Sequence, residues 1–173
     1  TAPVLFTAHS IPMSMAETSK YVPQLQESCR LVAEEAGVTN WKLVYQSRSG
    51  PPSQPWLEPD IGDEIRSQHA NGIRSLVIAP IGFISDHMEV LYDLDTEAAD
   101  LCRDLGVRME RAATVGTAPE FVDMIRDLIA ERAWALPDRV AIGSLPASHD
   151  VCPLDCCPAP QRPAPTGRPS ALT

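Results

Sequence analysis

The feature that most constrains the fold is an alternation of short apolar runs with segments of helical periodicity. Strand candidates lie at residues 3–8, 41–47, 75–80 and 107–115. Helix candidates follow them at residues 18–36, 60–71, from about residue 85, and at 118–134. This order is typical of an α/β fold, a Rossmann-like, mostly parallel sheet with helices on both faces. We predict that fold class, with one more short strand at 140–143.

Charge and hydropathy exclude several classes of partner. The 173 residues carry a formal net charge of -9 without a cluster of Lys or Arg, so a nucleic-acid backbone would be repelled. No apolar run approaches the roughly 20 residues of a membrane span, and the start lacks the pattern of a signal peptide. We therefore expect a cytoplasmic protein without nucleic-acid or membrane partners. A core strand at residue 3 has nothing before it, which predicts a fragment or processed piece of a longer protein.

Polar side chains follow three successive strand candidates. In open parallel sheets, ligands bind beyond the carboxyl ends of the strands, and side chains from successive strand ends converge there. The side chains at these positions are His9, Arg48, Trp56, Asp86, His87 and Glu89. Imidazole and carboxylate together suit a divalent metal such as ferrous iron, and they can also accept protons from a substrate. Each alone has a plainer interpretation: a capping or core histidine, or a Trp that anchors a loop.

The helix that begins near Ser85 carries a line of acids. They recur at intervals of three and four residues, at Asp86, Glu89, Asp93, Glu97, Asp100 and Asp104. A solvated face is the ordinary interpretation, but like charges one turn apart repel, and no Lys or Arg intervenes before Arg103. We therefore expect an uncompensated acidic face that suits a cation. The expected buried stripe consists of Met88, Leu91, Leu94, Ala98, Leu101 and Leu105.

Five cysteines are present, and three of them lie close together in the segment "CPLDCC". An odd number in this arrangement is unfavourable for disulfides, and in a reducing cytoplasm it indicates metal or cluster ligation.

Three stretches of this sequence resemble the second half of the ferrochelatase family. They are "LFTAHSIP" at 5–12, "YQSRSGPPSQPWLEPD" at 45–60 and "PIGFISDHMEVLYDLDTEA" at 80–98, and the resemblance extends over roughly residues 3–135. It implies one of two Rossmann-like halves that enclose a porphyrin cleft, and an enzyme that forms metal–nitrogen bonds by inserting Fe(II). The missing first half would form the other wall, so we expect the isolated chain to be weakly active or inactive.

The resemblance also implies roles for individual residues. His9 and Glu89 match the family's active-site histidine and glutamate, which meet the metal and the pyrrole protons. Asp93 and Glu97 match acids that pass metal or protons to and from the centre. Asp86, His87 and Trp56 match polar and aromatic groups near the tetrapyrrole, and Arg48 is a candidate contact for a propionate. Fe(II) would be a substrate, and insertion requires no organic cofactor.

The stretch "SHDVCPLDCCPAP" resembles the carboxyl-terminal cysteine motif of ferrochelatases that hold a [2Fe-2S] cluster. The resemblance implies Cys152, Cys156 and Cys157 as ligands, with the fourth in the first half of the protein. A zinc site and unliganded thiols are alternatives. We therefore divide the chain into a carboxyl-terminal chelatase lobe (1–146), a cysteine motif (147–158) and a disordered Pro-rich tail (159–173).

The branch with this tail is similar to the enzymes that use coproporphyrin III, which is the expected porphyrin. Three alternatives remain open. The porphyrin could be protoporphyrin IX, the enzyme could use another metal and ring, or the chain could be a half-domain that binds metal or tetrapyrrole without turnover.

Overall fold

A computed structural model of the protein describes residues 2–154 and 156. The strands are β1 (Val4–His9), β2 (Trp41–Gln46), β3 (Ser75–Ala79) and β4 (Arg108–Arg111). The helices are α1 (Met13–Ala16), α2 (Tyr21–Glu35), α3 (Ile61–Ala70), α4 (Met88–Val90), α5 (Ala99–Asp104) and α6 (Pro119–Ala133). A π-helical segment, Leu91–Ala98, joins α4 to α5.

The four strands form one parallel sheet in the order β2-β1-β3-β4. The register places His9 beside Gln46, so β1 and β2 end at the same level. A parallel sheet with β1 and β3 at its centre confirms the predicted α/β class. Polar groups that follow β1, β2 and β3 must therefore meet at one edge of the sheet.

Both faces of the sheet are covered by helices, as predicted. On one face, Phe6 and Leu43 pack against Leu25, Cys29 and other residues of α2. On the other face, the residues packed together come from the sheet, α3, the helical stretch 88–104 and the turn before β4; they are Leu5, Val44, Ile61, Ile65, Leu76, Ile78, Val90, Leu94, Ala98, Cys102 and Val107. Alternate residues of β1 therefore enter opposite cores, as expected of a strand with period two.

Local sequence signals fix the ends of two helices. The Asp60 carboxylate accepts a hydrogen bond of 2.8 Å from the Gly62 amide, which confirms the predicted N-cap of α3. Gly37 follows α2 with a φ of +64°, a left-handed conformation that favours glycine after a helix.

The helical stretch 88–104 confirms only part of the predicted stripe: Leu94 and Ala98 are buried, and Leu101 and Leu105 pack against the same core. Met88 is 78% exposed and Leu91 38%, whereas Val90, Leu94, Ala98 and Cys102 are buried. These four residues are spaced by four. An α-helix joins residue i to i+4 by a hydrogen bond, and a π-helix joins i to i+5. Because the π-helical turn is wider, residues four apart stay closer to one face of the helix.

Two predicted strands are wrong in extent or existence. β4 covers four residues rather than the stretch 107–115, and it ends where Arg111 turns its side chain toward other elements. Residues 140–143 form no strand, and Val140 and Ile142 are largely exposed. Nothing in the described structure offers them a neighbouring strand to pair with. Cys157 and the Pro-rich tail 159–173 lie outside the described residues.

No helix among the described residues is long and apolar enough to cross a bilayer.

Candidate active site

The loop that follows β3 is drawn over the end of β1 by close backbone packing. The Gly82 amide donates a hydrogen bond of 3.0 Å to the Thr7 carbonyl. A Cβ atom on Gly82 would lie 2.7 Å from the Cβ of Ala8, too close for any other residue without a shift. This approach carries the start of α4, and with it Glu89, to the carboxyl end of β1.

His9 and Glu89 meet at this edge of the sheet. The distance from His9 Nε2 to Glu89 Oε1 is 3.5 Å, and both side chains are a little over one-third exposed. His9 Nδ1 lies 2.5 Å from the Ser10 carbonyl oxygen, which can only accept a hydrogen bond. Nδ1 therefore carries a proton, and Nε2 is the ring nitrogen that faces Glu89.

One oxygen of the Glu89 carboxylate lacks a hydrogen-bond donor. This oxygen, Oε1, is buried and has no hydrogen-bond partner among the described residues. A buried carboxylate oxygen without a donor is costly unless a cation or proton compensates it. Together with His9 Nε2, this oxygen can hold a metal ion briefly or accept a proton from a bound molecule.

The backbone of His9 is held by a neighbouring phenol. Tyr21 donates a hydrogen bond of 2.9 Å to the His9 carbonyl. Burial raises the pKa of Tyr21, so the phenol keeps the proton that it donates.

Asp93 is fixed by two residues at the end of β2. The Gln46 amide donates to Asp93 Oδ2 at 3.1 Å, and the Ser47 hydroxyl contacts the same oxygen. Gln46 is buried, and Ser47 has a φ of 62°, which few residues other than glycine adopt. A strained, polar turn therefore holds one carboxylate of the acidic line toward β2.

A pocket of about 430 Å³ opens beside this carboxylate. Its lining includes three of the predicted site residues, Arg48, Asp93 and Glu97. Glu89, Asp93 and Glu97 repeat every four residues and make no ion pair with Lys or Arg within the described part of the chain. This part of the acidic line matches the expected uncompensated face.

The prediction of an uncompensated face is wrong for Asp86 and Asp100. Arg111, at the end of β4, contacts Asp86 at 3.0 Å and Asp95 at 2.5 Å, and Asp100 pairs with Arg103 at 2.6 Å. The hydrogen bond to Asp95 in particular raises the pKa of Arg111. Arg111 was not predicted because it lies inside the strand candidate 107–115, and the sequence does not reveal that the strand ends there.

The remaining predicted residues lie around the site in different environments. His87 is the residue before α4 and packs edge-on against Phe83, with ring centroids 5.5 Å apart. Trp56 packs on Gly50 and lines a second pocket with Met13, on the α2 face of the sheet. Arg48 Nη2 donates to the carbonyls of two loop residues, Pro51 at 3.4 Å and Gln54 at 3.2 Å.

The cysteines divide into two groups. Cys29 and Cys102 are buried in the two cores, and burial raises the pKa of Cys29 to about 12 and that of Cys102 in the same direction. Cys152 is exposed and Cys156 half-buried, and their sulfur atoms lie close to a ring nitrogen of His149. The sequence prediction named both cysteines but not His149, which a search for mixed Cys and His ligands could have found.

The fold defines a class of protein. A parallel sheet with helices on both faces is the arrangement of a chelatase-type α/β domain, and the imidazole and carboxylates at its carboxyl edge are groups that could hold a metal ion. A solved structure agrees at the level of fold: a putative cobalamin biosynthesis CbiX protein from Marinobacter aquaeolei VT8 aligns with a TM-score of 0.52 and 18% identity, over 79% of this chain and 100% of that one.

Sequence comparison identifies the family. The ferrochelatase family model matches residues 1–133, and this chain belongs to the ferrochelatase family. It is 60% identical to a ferrochelatase of Rhodopirellula baltica, over 95% of this chain and 47% of that protein. It is 48% identical to coproporphyrin III ferrochelatases of Streptomyces griseus and Streptomyces coelicolor, over 91% and 96% of this chain and 47% and 50% of those proteins. The chain thus spans about half the length of the curated relatives it matches.

Proposed function

We propose that this chain forms the metal-side wall of an enzyme that inserts ferrous iron into coproporphyrin III during haem synthesis. The observation that carries the proposal is the contact between His9 Nε2 and Glu89 Oε1 at the carboxyl edge of the sheet. Membership of the ferrochelatase family supports the reaction class. The names of the two Streptomyces relatives support coproporphyrin III as the porphyrin.

Iron insertion sets two chemical demands on such a wall. The ring must lose two pyrrole protons, and Fe(II) must exchange its water ligands for four ring nitrogens. In the proposed reaction, one Fe(II) enters the ring and two protons leave it, so charge balances without a redox step. We assign these tasks to His9 Nε2 and Glu89 Oε1, which would accept the protons or hold the incoming ion.

Asp93 and Glu97 extend from this pair along the helical stretch 88–104. We assign them the transfer of metal or protons between Glu89 and solvent, because they line a pocket that opens to the surface beside β2. Gln46 and Ser47 act as positioning residues for Asp93. Asp86 and His87 hold the start of α4, the former through Arg111, and the Trp56 ring is the proposed aromatic contact of the macrocycle.

The opposite wall of the cleft is assigned to sequence beyond this chain. The relatives are about twice as long, and the sequence resemblance in residues 3–135 is to the second half of the ferrochelatase family. The proposed partner is therefore an amino-terminal half of the same protein, and the isolated chain should show little or no turnover. A half-domain that binds metal or tetrapyrrole without turnover is the second candidate function.

The porphyrin is tested by comparing kcat/KM for coproporphyrin III and protoporphyrin IX, in a protein that contains this chain and the upstream half. We expect coproporphyrin III to be preferred. If the Arg48 guanidinium contacts a propionate, Arg48→Met should lower the ratio of kcat/KM for coproporphyrin III to kcat/KM for protoporphyrin IX by roughly tenfold. Arg108→Met, an exposed arginine on β4, is the matched control and should leave the preference unchanged.

Two results would contradict the proposal at different levels. Preference for protoporphyrin IX would overturn the porphyrin assignment alone. Binding of iron and porphyrin without insertion would favour the second candidate function and overturn the enzymatic one.

The sequence resemblance implies a [2Fe-2S] centre, which would exclude any other metal from the same cysteines. It requires Cys152, Cys156 and Cys157 together with a fourth ligand from another part of the protein. Cys157 lies outside the described residues, and no step of iron insertion proposed above depends on a cluster.

A further inference from the structure

A short segment after α6 brings three metal-ligating side chains together. One ring nitrogen of His149 and the sulfur atoms of Cys152 and Cys156 all lie within 4.8 Å of one another. Their spacing in sequence is His-x2-Cys-x3-Cys. None of the three belongs to the candidate active site described above.

The backbone on both sides of His149 is held by one arginine. Arg139 Nη1 donates to the Ser148 carbonyl at 3.1 Å, and Arg139 Nη2 pairs with the Asp150 carboxylate. Asp150 also pairs with Arg132 of α6 at 3.3 Å. His149 therefore lies between two residues that are held by contacts other than a metal.

The cysteines are joined by a tight turn. The Cys156 amide donates a hydrogen bond of 3.1 Å to the Pro153 carbonyl. This hydrogen bond holds Cys156 close to Pro153, the residue after Cys152, and the two sulfur atoms lie within 4.8 Å of each other. The ligand set is therefore arranged by the local backbone.

The close spacing of all three ligand atoms favours one metal ion. Around a tetrahedral zinc ion, with Zn–S of about 2.3 Å and Zn–N of about 2.0 Å, neighbouring ligand atoms lie about 3.5–3.8 Å apart. Three atoms within 4.8 Å of one another need little movement to reach that geometry. In a [2Fe-2S] centre each iron takes two protein ligands, so the two sulfur atoms could share one iron, but the His149 nitrogen could not join them there.

We propose that His149, Cys152 and Cys156 bind a single divalent metal ion of the zinc class. Two thiolates and an imidazole are ligands that zinc prefers. The three ligands leave one tetrahedral position for water or a further ligand. This site differs in ligands and in number of metal ions from the cluster that the sequence resemblance implies, and it does not depend on iron insertion.

Metal and sulfide analysis of the purified protein tests the number of metal ions. The protein is produced with both iron and zinc supplied, and zinc, iron and acid-labile sulfide are counted per chain. The expected result is one zinc and no sulfide, with an X-ray absorption spectrum that shows two sulfur ligands and at least one nitrogen ligand. Two irons with two sulfides per chain, or no bound metal, would overturn the proposal.

Substitution of the histidine tests its part in the site. His149→Ala should weaken zinc binding by at least about tenfold in a chelator competition and remove the nitrogen ligand from the spectrum. His69→Ala, at the end of α3, is the matched control and should bind zinc as the parent does. Unchanged affinity and an unchanged nitrogen ligand in His149→Ala would overturn the assignment of His149.

Discussion

His9 offers Glu89 a single usable ring nitrogen, because the Ser10 carbonyl engages the other. Glu89 in turn directs an oxygen without a hydrogen-bond donor toward that nitrogen. At this scale the site is a pair of atoms, His9 Nε2 and Glu89 Oε1, that face each other and have no other hydrogen-bond partner among the described residues. The Ser10 carbonyl holds the His9 ring, and the Tyr21 phenol holds the His9 backbone.

Asp93 shows how strongly one carboxylate is tied to the end of β2. Asp93→Ala removes the acceptor of the buried Gln46 amide, and an unpaired buried amide costs about 1–3 kcal/mol. We expect the free energy of unfolding in urea to fall by about 1–2 kcal/mol. Asp93→Asn, which keeps an acceptor oxygen, and Asp104→Ala, on an exposed position, should stay within about 0.5 kcal/mol of the parent. Equal losses for the alanine variants at 93 and 104 would refute the assigned contact.

Residue types after strands predicted part of the site, and packing determined the rest. His9 and Glu89 are visible in the sequence because polar groups follow apolar runs there, and Asp93 and Glu97 because acids recur every four residues along the helix. Gln46 and Ser47 are not, because an amide and a hydroxyl at the end of a strand have many ordinary uses. Only the approach of the helical stretch 88–104 to β2 shows that they hold Asp93.

At the level of elements, the π-helical segment determines which side chains face the core and which face the site. Buried residues and acids both recur every four residues, offset by one position, so the core line and the acidic line run side by side. The sequence prediction assumed the 3.6-residue period of an α-helix and therefore placed Met88 and Leu91 in the core. The sequence pattern alone does not disclose a π-helix, which is a rare conformation.

Arg111 connects three elements around this helical stretch. It joins the end of β4 to Asp86 in the loop after β3 and to Asp95 in the π-helical segment. Arg111→Met should lower the free energy of unfolding by about 1–2 kcal/mol, because two partly exposed carboxylates lose a shared partner. Amide hydrogen exchange should accelerate at residues 85–91.

The matched control for that experiment lies on the same strand. Arg108 is 78% exposed and pairs with Glu110 at the surface, so Arg108→Met should change stability by no more than about 0.5 kcal/mol. If both variants behave alike, Arg111 does not hold the loop and the π-helical segment together.

At the scale of the whole molecule, each face of the sheet carries a buried core, and the apolar residues of α6 are exposed. No residue of α6 is buried, and Leu128 and Ile129 are 52% and 62% exposed. The alternation of elements predicted the sheet and its helices because strand and helix periods differ. It could not predict what covers α6, because an amphipathic pattern does not identify the surface that its apolar face contacts.

Paired leucine substitutions test where the core of this chain lies. Leu94→Ala should cost about 2–5 kcal/mol of unfolding free energy, because Leu94 is fully buried between the helical stretch and the sheet. Leu128→Ala in the same chain should cost no more than about 0.5 kcal/mol, because its side chain is already half in solvent. A large loss for Leu128→Ala would place α6 inside the core instead.

The central claim is that His9 and Glu89 act together in iron insertion. The most direct measurement is kcat for His9→Ala, Glu89→Gln and the double variant in a protein that contains the upstream half, with Glu110→Gln as an exposed control. Each single variant should lose at least about 100-fold, and the double variant should be little worse than the poorer single one, since groups that act as a unit are not additive. A kcat within about threefold of the parent in both single variants would contradict the account.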